Sequence, residues 1–67
     1  MDLHTCVIVL RNHKVITSKS VEHSIGIIER DSGNEISEIQ INATDGVNIR
    51  TYHYSSVEDS LESLMNL

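Results

Sequence analysis

The stretch from Leu3 to Arg11 constrains the chain more than any other, because it is apolar on both of its faces. Leu3, Thr5, Val7 and Val9 alternate with His4, Cys6, Ile8 and Leu10. A strand that is apolar on both sides needs cover on both sides. It is expected at the centre of a sheet or in an interface.

The rest of the core must be built without Phe or Trp. Ile and Val supply 15 of the 67 residues. Their β-branched side chains are stiff at χ1 and suit a pleated surface better than a helix. The chain has no Pro to interrupt strand pairing. Asn12-His13 marks a hairpin turn, with a second strand over Lys14 to Ser18.

Residues 21 to 30 fit two periods. As a strand, Val21, His23, Ile25 and Ile27 share a face. As a helix, Val21, Ile25 and Ile28 fall in line behind a Ser20 cap. Gly26 and four β-branched residues favour the strand. Asp31-Ser32-Gly33-Asn34 then reads as a hairpin connection.

A strand follows over Glu35 to Asn42, where a bulge near Ser37 brings Ile36 into line with Ile39 and Ile41. Asp45-Gly46 within Ala43 to Gly46 is the strongest turn signal in the chain. The last strand, Val47 to Tyr54, alternates cleanly. Ser55 and Ser56 are good helix caps, and Glu58 and Asp59 suit the first turn of a C-terminal helix. Val57, Leu61, Leu64 and Met65 form its apolar stripe. Ser20-Val21-Glu22-His23-Ser24-Ile25 resembles Ser56-Val57-Glu58-Asp59-Ser60-Leu61.

These signals predict one α+β domain over residues 1–67. It would be a small antiparallel sheet of about five strands in meander order, with one C-terminal helix packed on one face. The internal resemblance supports an alternative, a duplicated ββα-ββα arrangement.

The net charge is −5 and unevenly placed: residues 1–30 carry +1 and residues 31–67 carry −6. Nucleic-acid binding through phosphates needs clustered Lys and Arg, which this chain lacks. No run is long enough for a membrane span. The run from Cys6 to Leu10 is too short for a signal peptide. With one cysteine and no disulfide, a cytoplasmic protein is expected.

No nucleotide loop, nucleophile elbow or compact zinc signature occurs. Cys6 could act as a nucleophile beside His4, His23 or His53, or join them in holding zinc. A thiol among Val and Ile reads instead as a small buried hydrophobe. No catalytic residue, metal or cofactor is therefore expected. The Asn42-Ala43-Thr44 sequon has no meaning in a protein that is not secreted.

Surface features lead instead to protein binding. Arg50, Tyr52 and Tyr54 line one face of the last strand, and Tyr and Arg are enriched in interface cores. The other face of that strand is the one expected to dock the helix. If the helix covers Leu3, Val7 and Val9, then Cys6, Ile8 and Leu10 form an exposed apolar patch that self-association would bury. The expectation is a small acidic regulator, adaptor or inhibitor acting by protein contacts, as a homodimer. An alternative is an acidic nucleic-acid mimic that uses Glu58, Asp59 and Glu62 to occupy a basic groove. A small metal-binding protein using Cys6 and histidine is the third reading.

Overall fold

The computed structural model describes residues 2–30 and 35–67. The chain forms β1 (Asp2–Leu10), β2 (Val15–Ser18), α1 (Val21–Glu29), β3 (Ile36–Thr44), β4 (Ile49–Tyr54) and α2 (Val57–Met65). The element order is thus strand–strand–helix twice, as in the alternative reading. The four strands make one antiparallel sheet in the order β2-β1-β3-β4. A two-fold axis normal to the sheet between β1 and β3 would generate this topology.

β1 lies at the centre of the sheet, paired on both edges, while the helices cover one of its two apolar faces. The meander is not seen, because β1 pairs with both β2 and β3 and so leaves β2 at an edge. Among the described residues there are four strands rather than five, because residues 21–29 are helical. The expected hairpin over Asp31 to Asn34 lies outside the described residues.

Local hydrogen bonds explain why α1 overrides its β-branched composition. Ser20 accepts from the His23 amide at 3.1 Å, closing the helix N-terminus. Ser24 is fully buried and donates to the Ser20 carbonyl at 2.7 Å. Its small side chain lets the helix sit close to the sheet while Ile28 fills the core. In α2 the same positions recur: Ser56 caps through the Asp59 amide, Ser60 is buried and donates to Val57, and Leu64 replaces Ile28.

Both hairpins form where turn residues predict them. The first has a three-residue loop, one longer than expected, because Leu10 and Lys14 still pair through a 2.8 Å bond. His13 takes a φ of 68° at its end. In the second, the Asp45 carboxylate accepts from the Val47 and Asn48 amides at 2.9 and 2.8 Å. Gly46 takes a φ of 97°, which a side chain would strain. The loop absorbs Val47, so the strand starts at Ile49. The bulge at Ser37 is present: Val9 pairs with Glu38 and Leu10 with Ile36, and the extra residue's hydroxyl donates to the Val9 carbonyl.

Both helices lie on one side of the sheet. The core joins Cys6 and Ile8 of β1, Ile39 and Ile41 of β3, Ile28 and Leu64. Residues paired across strands share a face. The helix-covered face therefore also carries Ile16, Ser18, Ala43, Arg50, Tyr52 and Tyr54.

This corrects the expected side of β1. Cys6 and Ile8 are 0% exposed and Leu10 is half-buried, while Val7 and Val9 face away from the helices. The reason is register: Ile39 and Ile41 pair with Ile8 and Cys6, which makes the more apolar side of the sheet theirs. Met65 is also misplaced in the expected stripe. It is 65% exposed, since α2 points Ser60 and Leu64 inward.

Candidate interaction surface

Among the described residues, one face of the sheet carries no helix. Its rows are Val15–Val9–Glu38, Thr17–Val7–Gln40–His53 and Thr5–Asn42–Thr51, with Ile49 beside Thr44. The face divides into two halves. On β1 and β2, Val7 and Val9 are half-buried and Val15 is 58% exposed. On β3 and β4 the side chains are mostly polar and bonded to each other. Asn42 donates to Thr5 at 2.8 Å, and Thr51 donates to Asn42 at 2.7 Å. Gln40 also donates to the Asn42 oxygen, at 3.3 Å. His53 meets Glu38 at 2.9 Å, with both side chains near half exposed, so solvent screens the pair. This ladder orders the polar half of the face. Ile49 stands at its corner, 54% exposed.

Arg50, Tyr52 and Tyr54 do not form the uncovered face. They lie on the helix side, and the side expected to dock the helix, with Ile49, Thr51 and His53, is the open one. β4 takes its orientation from β3, whose Ile39, Ile41 and Ala43 pair with Tyr54, Tyr52 and Arg50. Tyr54 anchors α2 by donating its hydroxyl to Ser63 at 2.9 Å. Arg50 and Tyr52 remain exposed beyond the helix, at the edge of the sheet.

The two edges differ. The Asp45 amide bonds to the Asn48 carbonyl, which makes that pair hydrogen-bonded. Antiparallel pairs alternate. The backbones of Arg50, Tyr52 and Tyr54 therefore point to β3, and those of Ile49, Thr51 and His53 point to solvent. The same counting agrees with the Leu10–Lys14 bond on the other side of the sheet. It leaves Val15 and Thr17 outward on the β2 edge. That edge is four residues long and flanked by Lys14 and Lys19. The β4 edge is six residues long, with no Lys, Pro or bulge.

Glu58, Asp59 and Glu62 are exposed on α2. Cys6 is sealed under the helices, where burial pushes its thiol pKa up and the Ser24 hydroxyl partly opposes the shift. His53 is on the opposite face, and His23 faces Ser18 at 3.3 Å. Among the described residues no three His, Cys, Asp or Glu side chains converge, so Cys6 and the histidines form no metal-holding cluster there. A shallow cleft of about 170 Å³ beside the end of α1 is lined mainly by Leu10, Ile16, Ile27 and Ile36. No described helix is long and apolar enough to cross a membrane.

The valines of the open face were legible only as half of an apolar strand. The polar ladder had a signal, since Glu38, Gln40 and Asn42 alternate with Ile39 and Ile41. Comparison with known proteins gives no match: no family model, no curated protein and no solved structure matches the chain.

Proposed function

We propose that the protein is a small, non-enzymatic binding protein that acts through contacts with other protein chains and associates with a second copy of itself. The observation that carries this reading is the sheet face without helices, where Val7, Val9, Val15 and Ile49 keep apolar surface beside an ordered polar ladder. An apolar centre next to satisfied polar groups is the ordinary make-up of a protein interface. A 67-residue chain also gains from self-association, because its own core is small.

Exposure of Glu58, Asp59 and Glu62 on α2 supports a second reading, in which this acidic face occupies a basic groove. Salt and substitution separate the two. Sedimentation at tens of micromolar and affinity capture would be run on the native chain, on Val7→Lys with Val15→Lys, and on the triple charge reversal of α2. The first reading expects a dimer and a captured protein that is lost only with the valine variant and persists in high salt. Capture that is lost with α2 reversal and falls steeply with salt selects the mimic. A monomer that captures nothing on the valine face sinks the first reading.

A further inference from the structure

We infer that two copies pair through β4, joining their sheets edge to edge in antiparallel register about Thr51; this inference rests on the self-association proposed above. The first ground is the contrast between the edges. Proteins blunt exposed edges with short strands, Lys, Pro or bulges. The β2 edge is short and flanked by Lys14 and Lys19, whereas the β4 edge is longer, has no Lys, Pro or bulge, and carries Arg50 with its backbone turned to β3.

The second ground is self-complementarity. The outward residues Ile49, Thr51 and His53 are spaced by two. A two-fold axis at Thr51 sets Thr51 against the partner's Thr51 and Ile49 against the partner's His53. Each of the three pairs exchanges two backbone bonds, so every outward group of the strand is satisfied.

The third ground is charge. Arg50 is the only Lys or Arg of residues 31–67; its charge acts on Asp45 of the adjoining turn without a salt bridge among the described residues, which leaves the guanidinium free to stack. In this register it lies opposite the partner's Tyr52 in a close, non-hydrogen-bonded pair, where a guanidinium can stack on the ring. Beyond that ring is the partner's Tyr54, whose hydroxyl reaches Ser63 of α2. The Arg50–Tyr52 contact occurs twice, once on each side of the axis.

The test is amide hydrogen exchange by NMR on the native chain at low and high concentration, with sedimentation velocity on the same samples. The amides of Ile49, Thr51 and His53 should slow by about tenfold or more as dimer forms, while those of Arg50, Tyr52 and Tyr54 stay protected throughout. Thr51→Pro removes an outward amide donor and leaves the β3–β4 backbone bonds in place, at the cost of the Thr51 hydroxyl bond to Asn42, and should weaken the dimer by about tenfold or more with unchanged circular dichroism; Thr51→Val, which removes that hydroxyl alone, should leave the dimer intact. Should that variant not fold, Arg50→Glu decides with the exchange pattern, since it removes the guanidinium that stacks on the partner's Tyr52 and should weaken the dimer several-fold. A dimer whose Ile49, Thr51 and His53 amides exchange freely overturns the β4 pairing and leaves self-association standing. A monomer at all concentrations overturns both.

Discussion

At the scale of single residues, two side chains show how local surroundings set behaviour. Asp45 accepts the Asn48 and Val47 amides and has Arg50 nearby, so its pKa is lowered. Its folded value lies below its unfolded value of about 3.9. The stability it adds is therefore fully present above that unfolded value and is lost as pH falls through the lower folded one. Asp45→Asn keeps an acceptor but removes the charge. Thermal melts from neutral to acid pH should show less acid loss in the variant than in the native chain; equal loss would assign the acid limb to other carboxylates. Cys6 is the opposite case, a neutral thiol held away from water. A thiol reagent should label it only after denaturation. Cys6→Ser should destabilise by about 1–3 kcal/mol in denaturant unfolding, since it buries a more polar hydroxyl among isoleucines.

Elements are held by paired devices. Each helix has a serine cap and a buried serine four residues on, and each is nine residues long. Helices of that length are marginal alone and depend on docking. Loss of the cap in Ser20→Ala should cost about 1 kcal/mol. Gly26 offers a contrasting change. Nothing lies within 4 Å of a side-chain carbon placed there. Gly26→Ala should therefore stabilise α1 by about 0.5–1 kcal/mol. Urea melts of both variants check the pair; a destabilising Gly26→Ala would mean the helix approaches the sheet more closely than this. The sequence showed both caps and both hairpins through Ser, Asn and Asp-Gly signals. It misassigned residues 21–29 because Ile25, Ile27 and Ile28 suit either element until something packs against them.

The molecule as a whole is one sheet with one helical layer and one uncovered face. Binding that occurs only in the folded state stabilises by mass action. If two copies associate, the melting temperature should rise with protein concentration, and dilution should remove the rise. A melting point that ignores concentration across two decades would count against self-association. The sheet order also explains why marginal packing suffices for β1: it is covered by strands on both edges and by helices on one face, and only Val7 and Val9 remain for a partner. Of the surface residues singled out from sequence, Arg50 and Tyr52 are exposed at an edge, Tyr54 serves the fold, and Cys6 and Ile8 are core.

Local chemistry determined what could be read from the chain alone: a central β1, two turns, a bulge at Ser37, the serine cap of α2 and an unequal charge, with the Ser20 cap visible only in the helical alternative for residues 21–30. These depend on neighbours within a few residues, where propensity and side-chain hydrogen bonds dominate. Tertiary structure decided which face of β1 is inside, whether residues 21–29 coil or extend, and which strands lie at the edge. Those choices depend on pairing between β1 and β3, whose partners lie 26 to 42 residues apart, because a face is buried only when another element arrives to cover it.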